Sequence, residues 1–319
     1  MKELLKDYGK TTKMEDPIIH FYETFLSEYD PKLRKSRGVW YTPAPIVNFI
    51  VRAVDDILKT DFELKDGLAD TSKTKIKVNT QTADKRSKTG YKQIEQEVHK
   101  VQILDPATGT GTFLAEVVKH IYNKRFKAMQ GAWSGYVENH LLPRLNGFEL
   151  LMASYAMAHL QLDLLLDETG YKQTANKQSK QRLKVYLTNS LEEEHPDTGT
   201  LFASWLSAEA NEANHIKRDT PVMCVIGNPP YSSLSVNQGE WIKKLIEDYK
   251  YIDGEHFGER KHWLNDDYVK FIRYGQHYIE KNGSGVLAFI NPHGFLNNPT
   301  FRGMRWNLLK TFDKIFTID

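Results

Sequence analysis

The chemistry of this chain concentrates in Asn228-Pro229-Pro230-Tyr231. An asparagine amide offers one acceptor oxygen and two donor hydrogens. The two prolines fix φ and lack N–H groups, so the turn presents carbonyl acceptors and little else. Tyr231 adds a flat ring with a polar tip. This set suits a planar amine. The side-chain oxygen of Asn228 and the carbonyl of Pro229 can each accept one N–H of an exocyclic NH2. That draws the nitrogen toward tetrahedral geometry and exposes its lone pair, while Tyr231 stacks on the ring that bears it. Asn and Pro are also common in plain turns, so the surroundings decide between the two readings.

The surroundings favour a site. Val222-Met223-Cys224-Val225 precedes the turn and has the apolar, β-branched character of a buried parallel strand. Ligands bind beyond the carboxyl ends of such strands. A second unit has the same form. Val101-Gln102-Ile103-Leu104-Asp105 reads as a strand, Pro106-Ala107-Thr108-Gly109-Thr110-Gly111-Thr112 as a glycine-rich turn, and Phe113 to Val118 as a helix. Gly109 and Gly111 let the backbone approach a ligand closely. The third glycine of a dinucleotide fingerprint is missing, and no Gly-Lys-Ser/Thr follows. Asp105 ends the strand, and a carboxylate there suits a cation better than a pyrophosphate. A cationic nucleoside, S-adenosylmethionine, fits best. Leu145 to Glu149 reads as the next strand, with Glu149 placed to accept both ribose hydroxyl protons. It lies further from Asp105 than the usual separation of about 20 residues, and a helix over 115–130 plus the segment 131–144 fill the gap.

These elements imply an α/β fold with a doubly wound, mainly parallel sheet. Residues 1–37 read as an N-terminal helical segment with a basic cluster, and 38–319 as one catalytic domain. Thr42 before Pro43 reads as a helix N-cap, followed by an amphipathic helix from Ile46 to Leu58. Residues 59–100 are polar and read as a surface insertion with an exposed hairpin around Lys75–Val78. Leu150 to Leu166 reads as an apolar helix carrying a packed His159, Leu183–Thr188 as a third strand, and 201–213 as partly helical. Residues 232–265 form an aromatic loop facing substrate, a helix begins near Trp263, and Val286–Ile290 is a further strand. Another helix spans Phe301–Leu309. The apolar run 313–319 reads as a strand at which the chain stops, so the end of the domain is expected to be absent.

Composition narrows the partners. A net charge of +2 is too small for a whole-molecule basic field, so any polyanion must meet local patches. Cys224 is the one cysteine, which excludes a disulfide framework and a cysteine-based zinc cluster and fits a reducing compartment. No metal site is expected. No apolar run approaches the roughly 20 residues that span a bilayer, so a cytoplasmic protein is expected.

Tyr41-Thr42-Pro43, the Asp105–Gly111 turn, Glu149 and Asn228-Pro229-Pro230-Tyr231, in that order, resemble the adenine-N6 DNA methyltransferases. The likeness is nearest to the methyltransferase part of type IIG and type ISP restriction-modification enzymes, and runs from about Val39 to Asp319 apart from the insertion. The resemblance implies a Rossmann-like, S-adenosylmethionine-dependent fold. It implies that Tyr41 and Thr42 hold the methionine end of the cofactor. Asp105, Ala107, Gly109 and Gly111 line its turn, Phe113 packs beside it, and Glu149 binds its ribose. Asn189 stands where the family usually has an aspartate that reads the cofactor adenine. Asn228, Pro229 and Pro230 orient the target amine and Tyr231 stacks on the base. Phe271 has two readings, contact with that base and a place in the core. The implied partner is double-stranded DNA with the target adenine flipped out. Further domains of a larger polypeptide are also implied, for target recognition and for a nuclease or helicase. Asn-Pro-Pro-Tyr also occurs in enzymes that methylate a protein glutamine or an RNA guanine, and the amine argument admits all three. A non-catalytic DNA-binding fragment is the alternative of another class.

Overall fold

The computed structural model describes residues 42–83, 86, 91–173, 182–193, 204–232, 235–258 and 262–318. The expected leader helices, Tyr41 and residues 201–203 lie outside these. The chain opens with α1 (Ala44–Thr60), an antiparallel ribbon of β1 (Lys73–Ala83) and β2 (Tyr91–His99), then β3 (Gln102–Asp105), α2 (Thr112–Ile121) and α3 (Gln130–Tyr136). β4 (Leu145–Glu149), α4 (Met152–Glu168), β5 (Lys184–Leu187), α5 (Ser204–Asp219) and β6 (Val222–Gly227) follow. The last part holds α6 (Glu240–Glu247), a short hairpin of β7 (Tyr251–Ile252) and β8 (Glu255–His256), and α7 (Asp267–Asn282). β9 (Val286–Phe289), α8 (Gly294–Asn297) and α9 (Arg302–Thr311) complete it.

The central sheet has the order β5-β4-β3-β6-β9 and every pairing in it is parallel. This is the expected doubly wound arrangement. All five strands therefore end at one edge, and Asp105, Glu149 and Gly227 are the last residues of the three central ones. β3 and β6 are buried along their whole length, as continuous apolar runs require when helices cover both faces. Ile103 enters the core shared with α1, α2 and α4, while the next residue, Leu104, enters the core shared with α5 and α7.

Several elements differ from the sequence reading. Leu64, Leu68 and Ala69 lie in the main core, so this part of the expected surface insertion is interior, and the ribbon follows it. Its outer face is crossed by exposed ion pairs, Lys73–Glu97 at 3.1 Å and Lys75–Glu95 at 3.7 Å. The helix expected over 115–130 stops at Ile121 and passes into a π-turn over Tyr122–Phe126. There Phe126 packs on Trp133 and Tyr136, with ring centroids 5.2 and 4.5 Å away. Residues 313–318 form no strand, and Phe316 and Ile318 stand exposed. The aromatic loop 232–265 contains α6 and the β7–β8 hairpin.

One buried acid fixes α1 against α2. Asp55 accepts the Leu68 N–H at 2.9 Å, the His120 ring nitrogen at 2.9 Å, Lys59 at 2.6 Å and Lys124 at 3.0 Å. Burial pushes its carboxyl up, but the hydrogen bonds from His120, Lys59, Leu68 and Lys124 prevail and hold it well below the usual range. A carboxyl depressed in this way stabilises the fold above its unfolded pKa near 4, and that contribution fades as pH falls below it. Asp55→Ala should cost about 2–4 kcal/mol at neutral pH, since it strands a buried N–H and a buried histidine. Urea unfolding at pH 7 measures the loss, and the gap between variant and wild type should narrow on acidification.

Candidate active site

The carboxyl tips of β4, β3 and β6 bring the site together. Glu149 sits at the tip of β4, 9% exposed. Its Oε2 accepts the Gly109 N–H at 2.7 Å and its Oε1 the Leu151 N–H at 2.7 Å. The two bonds join the glycine-rich turn to the turn after β4. Each oxygen keeps a lone pair for a further donor. Burial raises this carboxyl's pKa, opposed by the N–H groups of Leu151, Gly109 and Leu150.

The glycine-rich turn is held to the sheet at both ends. Thr108 N–H donates to Phe148 O at 3.0 Å, and its hydroxyl donates to Asp105 O at 3.0 Å. Gly109 and Gly111 have φ of 56° and 91°, conformations that favour glycine. A Cβ on Gly111 would also press on Ala158 of α4 at 3.3 Å, so its small size serves helix packing as well. Phe113 is 3% exposed and belongs to the main core.

Asp105 is fully enclosed. Its Oδ1 accepts the Ala107 N–H at 3.1 Å, and a Cβ built on Gly227 would lie 2.8 Å from that same oxygen. The acid of the glycine-rich turn thus rests against the backbone just before Asn228. Burial, with a smaller push from the Glu149 charge, raises its pKa to about 8 against the Ala107 hydrogen bond. The shift favours the protonated form of this carboxyl.

Asn228 is gripped at both ends of its amide. Its Nδ2 donates to Thr42 Oγ1 at 2.9 Å, and its Oδ1 accepts the Tyr231 hydroxyl at 2.7 Å. Thr42 is therefore not the expected cap: α1 begins at Ala44 with no side-chain cap, and the hydroxyl spans the crevice instead. Pro229 is buried and Pro230 and Tyr231 half-buried. Asn189 lies just past β5. Its Nδ2 reaches Glu192 Oε1 at 3.1 Å and Asn237 Oδ1 at 3.0 Å, and its Oδ1 accepts the Leu191 N–H at 3.0 Å.

Phe271 is 6% exposed in the core formed with Leu104, Phe148 and Tyr274. Of its two readings, the structure shows the core one. The Thr42–Asn228 contact was not foreseen, because its partners stand 186 residues apart and no local pattern joins them. Among the described residues no cluster of three or more metal-binding side chains occurs. No helix among them is long and apolar enough to cross a membrane. Cys224 is a free, buried thiol in β6.

A parallel sheet with two acids and a clamped asparagine at its tips is the frame of a methyltransferase. Residues 78–296 match the family model of the MmeI DNA-methyltransferase domain, and the chain belongs to that family, whose members use a methyl donor. The type II methyltransferase M.BstVI of Geobacillus stearothermophilus is 23% identical over 235 residues, 72% of this chain and 35% of that protein. The cryo-EM structure of the DrdV–DNA complex superposes with a TM-score of 0.64 at 25% identity, over 93% of this chain and 24% of that one. The DNA-bound, ATP-dependent type ISP restriction-modification enzyme LlaBIII shares the fold, with a TM-score of 0.64 at 21% identity, over 92% of this chain and 18% of that one. The chain thus spans about a third of the curated relative it matches.

Thr42→Val removes the acceptor for the Asn228 amide and should slow methyl transfer about five- to thirtyfold, the cost of one stranded amide donor. Thr42→Ser should stay within about twofold of wild type. Single-turnover rates measure both.

Proposed function

We propose that this chain transfers the methyl group of S-adenosylmethionine to the N6 amine of adenine in DNA, as the modification part of a restriction-modification enzyme. The observation that carries the proposal is the Asn228 amide. It is anchored by Thr42 on one side and offers its oxygen on the other, beside the enclosed acid of the glycine-rich turn. The similar structures, a DNA complex and a DNA-bound restriction-modification enzyme, support DNA as the substrate class.

The residues fit this cofactor. Glu149 keeps one lone pair on each oxygen, enough for two ribose hydroxyls. Gly109 leaves room above the turn, and Asp105 offers an ionisable carboxyl to a cation. When bound, S-adenosylmethionine supplies a methyl group already activated on a sulfonium. What the chain adds is placement. Asn228 Oδ1 accepts one amine proton in place of the Tyr231 hydroxyl, and the Pro229 carbonyl accepts the other. The amine lone pair is thereby turned out of conjugation with the ring. Tyr231 then lies against the extruded base, where base–aromatic stacking contributes about 1–3 kcal/mol. Extrusion is required because the target atom is out of reach inside a duplex.

Labelled methyl transfer to unmethylated DNA, with hydrolysis of the product to nucleosides, tests the proposal. N6-methyladenine should carry the label, at a rate indifferent to EDTA. Label in protein or RNA alone would contradict it. Asn228→Ala should abolish transfer and leave cofactor affinity within about threefold, because its amide acts on the amine and not on the cofactor. Calorimetry supplies the second number. Binding of the sulfonium cofactor should favour ionised Asp105 and release a proton near pH 7. Its affinity should therefore rise with pH and level off above about 8. Titrations in buffers of different ionisation enthalpy detect that proton, and Asp105→Asn should remove it.

A further inference from the structure

The hydrogen bonds of Asn189 point to a residue that lies in none of the site's motifs. Both Asn189 amide hydrogens are engaged, by Glu192 and by Asn237, and one acceptor position of its oxygen is filled by the Leu191 N–H. A single acceptor position remains. An adenine edge presents an amine donor next to a ring-nitrogen acceptor. Asn189 in this setting can meet the amine and leaves the ring nitrogen unmatched.

Asn237 has the complementary inventory. Its Oδ1 accepts once, from Asn189 at 3.0 Å, and its Nδ2 donates once, to Asp267 Oδ1 at 3.0 Å. One N–H and one acceptor position remain on the same amide. That is the pair with which asparagine meets adenine in a bidentate contact. Its placement is firm. The Asn237 N–H donates to Ser235 Oγ at 3.1 Å, and its carbonyl accepts from Lys270 Nζ at 2.5 Å. Lys270 also donates to Ser235 Oγ at 2.8 Å. Lys270 is 0% exposed. Burying an ammonium is costly, and here its bonds fix the backbone that carries Asn237 next to Asn189. Across the β4 tip, Leu150 follows the ribose acid Glu149 and is 44% exposed, an apolar surface of the kind a purine face covers.

We propose that Asn237 is a binding residue for the adenine of the methyl donor, sharing with Asn189 the recognition of its amine and supplying the donor for the adjoining ring nitrogen. This rests on the S-adenosylmethionine reading above. It also gives a reason why an asparagine suffices at position 189, because a second amide completes the edge.

The test is calorimetry on the whole chain, with no DNA present. The probes are S-adenosylhomocysteine and its analogue bearing hydrogen in place of the 6-amine. Wild type should prefer the adenine compound. Asn237→Ala should weaken the adenine compound about five- to tenfold, one to two hydrogen bonds' worth, and the analogue, which keeps the ring nitrogen but has no amine, only about two- to threefold, so that the preference shrinks. Asn237→Ser, whose side chain is too short to reach, should do the same and serves if the alanine variant folds poorly. An equal loss for both compounds would assign Asn237 to holding its loop and overturn the proposal, as would no loss for either. Failure of wild type to bind S-adenosylhomocysteine at all is a different result and overturns the cofactor reading itself.

Discussion

The hydrogen bond from Asn228 to Thr42 is the contact on which the arrangement turns. An asparagine amide is a two-ended group, useful to an amine only when its oxygen faces that amine. A hydroxyl on the far side gives the nitrogen end a partner and, in the proposed function, leaves the oxygen end for the substrate. Thr42 can do this because α1 is fixed against α2 by Asp55, and α2 springs from the glycine-rich turn. In the free chain the Tyr231 hydroxyl occupies the oxygen end. One acceptor position of that oxygen is therefore filled before any base arrives, and a base must use the other or displace the hydroxyl with a donor of its own.

The second organising constraint is electrostatic. Parallel strands that end together crowd whatever side chains lie at their tips, and here two of those side chains are acids. Burial disfavours the charge on each, and each one's nearest relief is a backbone N–H. Glu149 holds two such bonds that span two turns, while Asp105 holds one and lies against Gly227. A site with buried, under-neutralised carboxyls is disposed toward a cationic partner with hydroxyl donors. That disposition follows from topology: a strand order that separated β3 from β4 or β6 would dissolve it.

Much of this was legible in the sequence. The strands β3, β4, β5, β6 and β9 were marked by short apolar runs, and the turns after them by Gly, Asn and Pro, because buried parallel strands and their ligand-facing ends have distinct compositions. The acids at 105 and 149 and the asparagine at 228 were legible for the same reason. The errors lie where long-range contacts override local pattern. Thr42 looked like a cap and is a bridge. The helix after the glycine-rich turn widens into a π-turn where Phe126 packs on Trp133 and Tyr136, an outcome that helical periodicity does not encode. Leu64 and Leu68 sit in polar sequence yet reach the core, because Asp55 draws the Leu68 backbone inward. Asn237 sits in a polar loop and was invisible until Asn189 and Lys270 were seen to hold it.

A crystal structure of the chain with sinefungin tests the central claim most directly, since that analogue carries an amine where the transferable methyl would be. The account predicts the ribose on Glu149, the adenine at the tip of β5, and the analogue's amine directed across the crevice toward Asn228. A crevice that stays empty at saturating analogue, or an analogue seated with its amine turned away from Asn228, would contradict it.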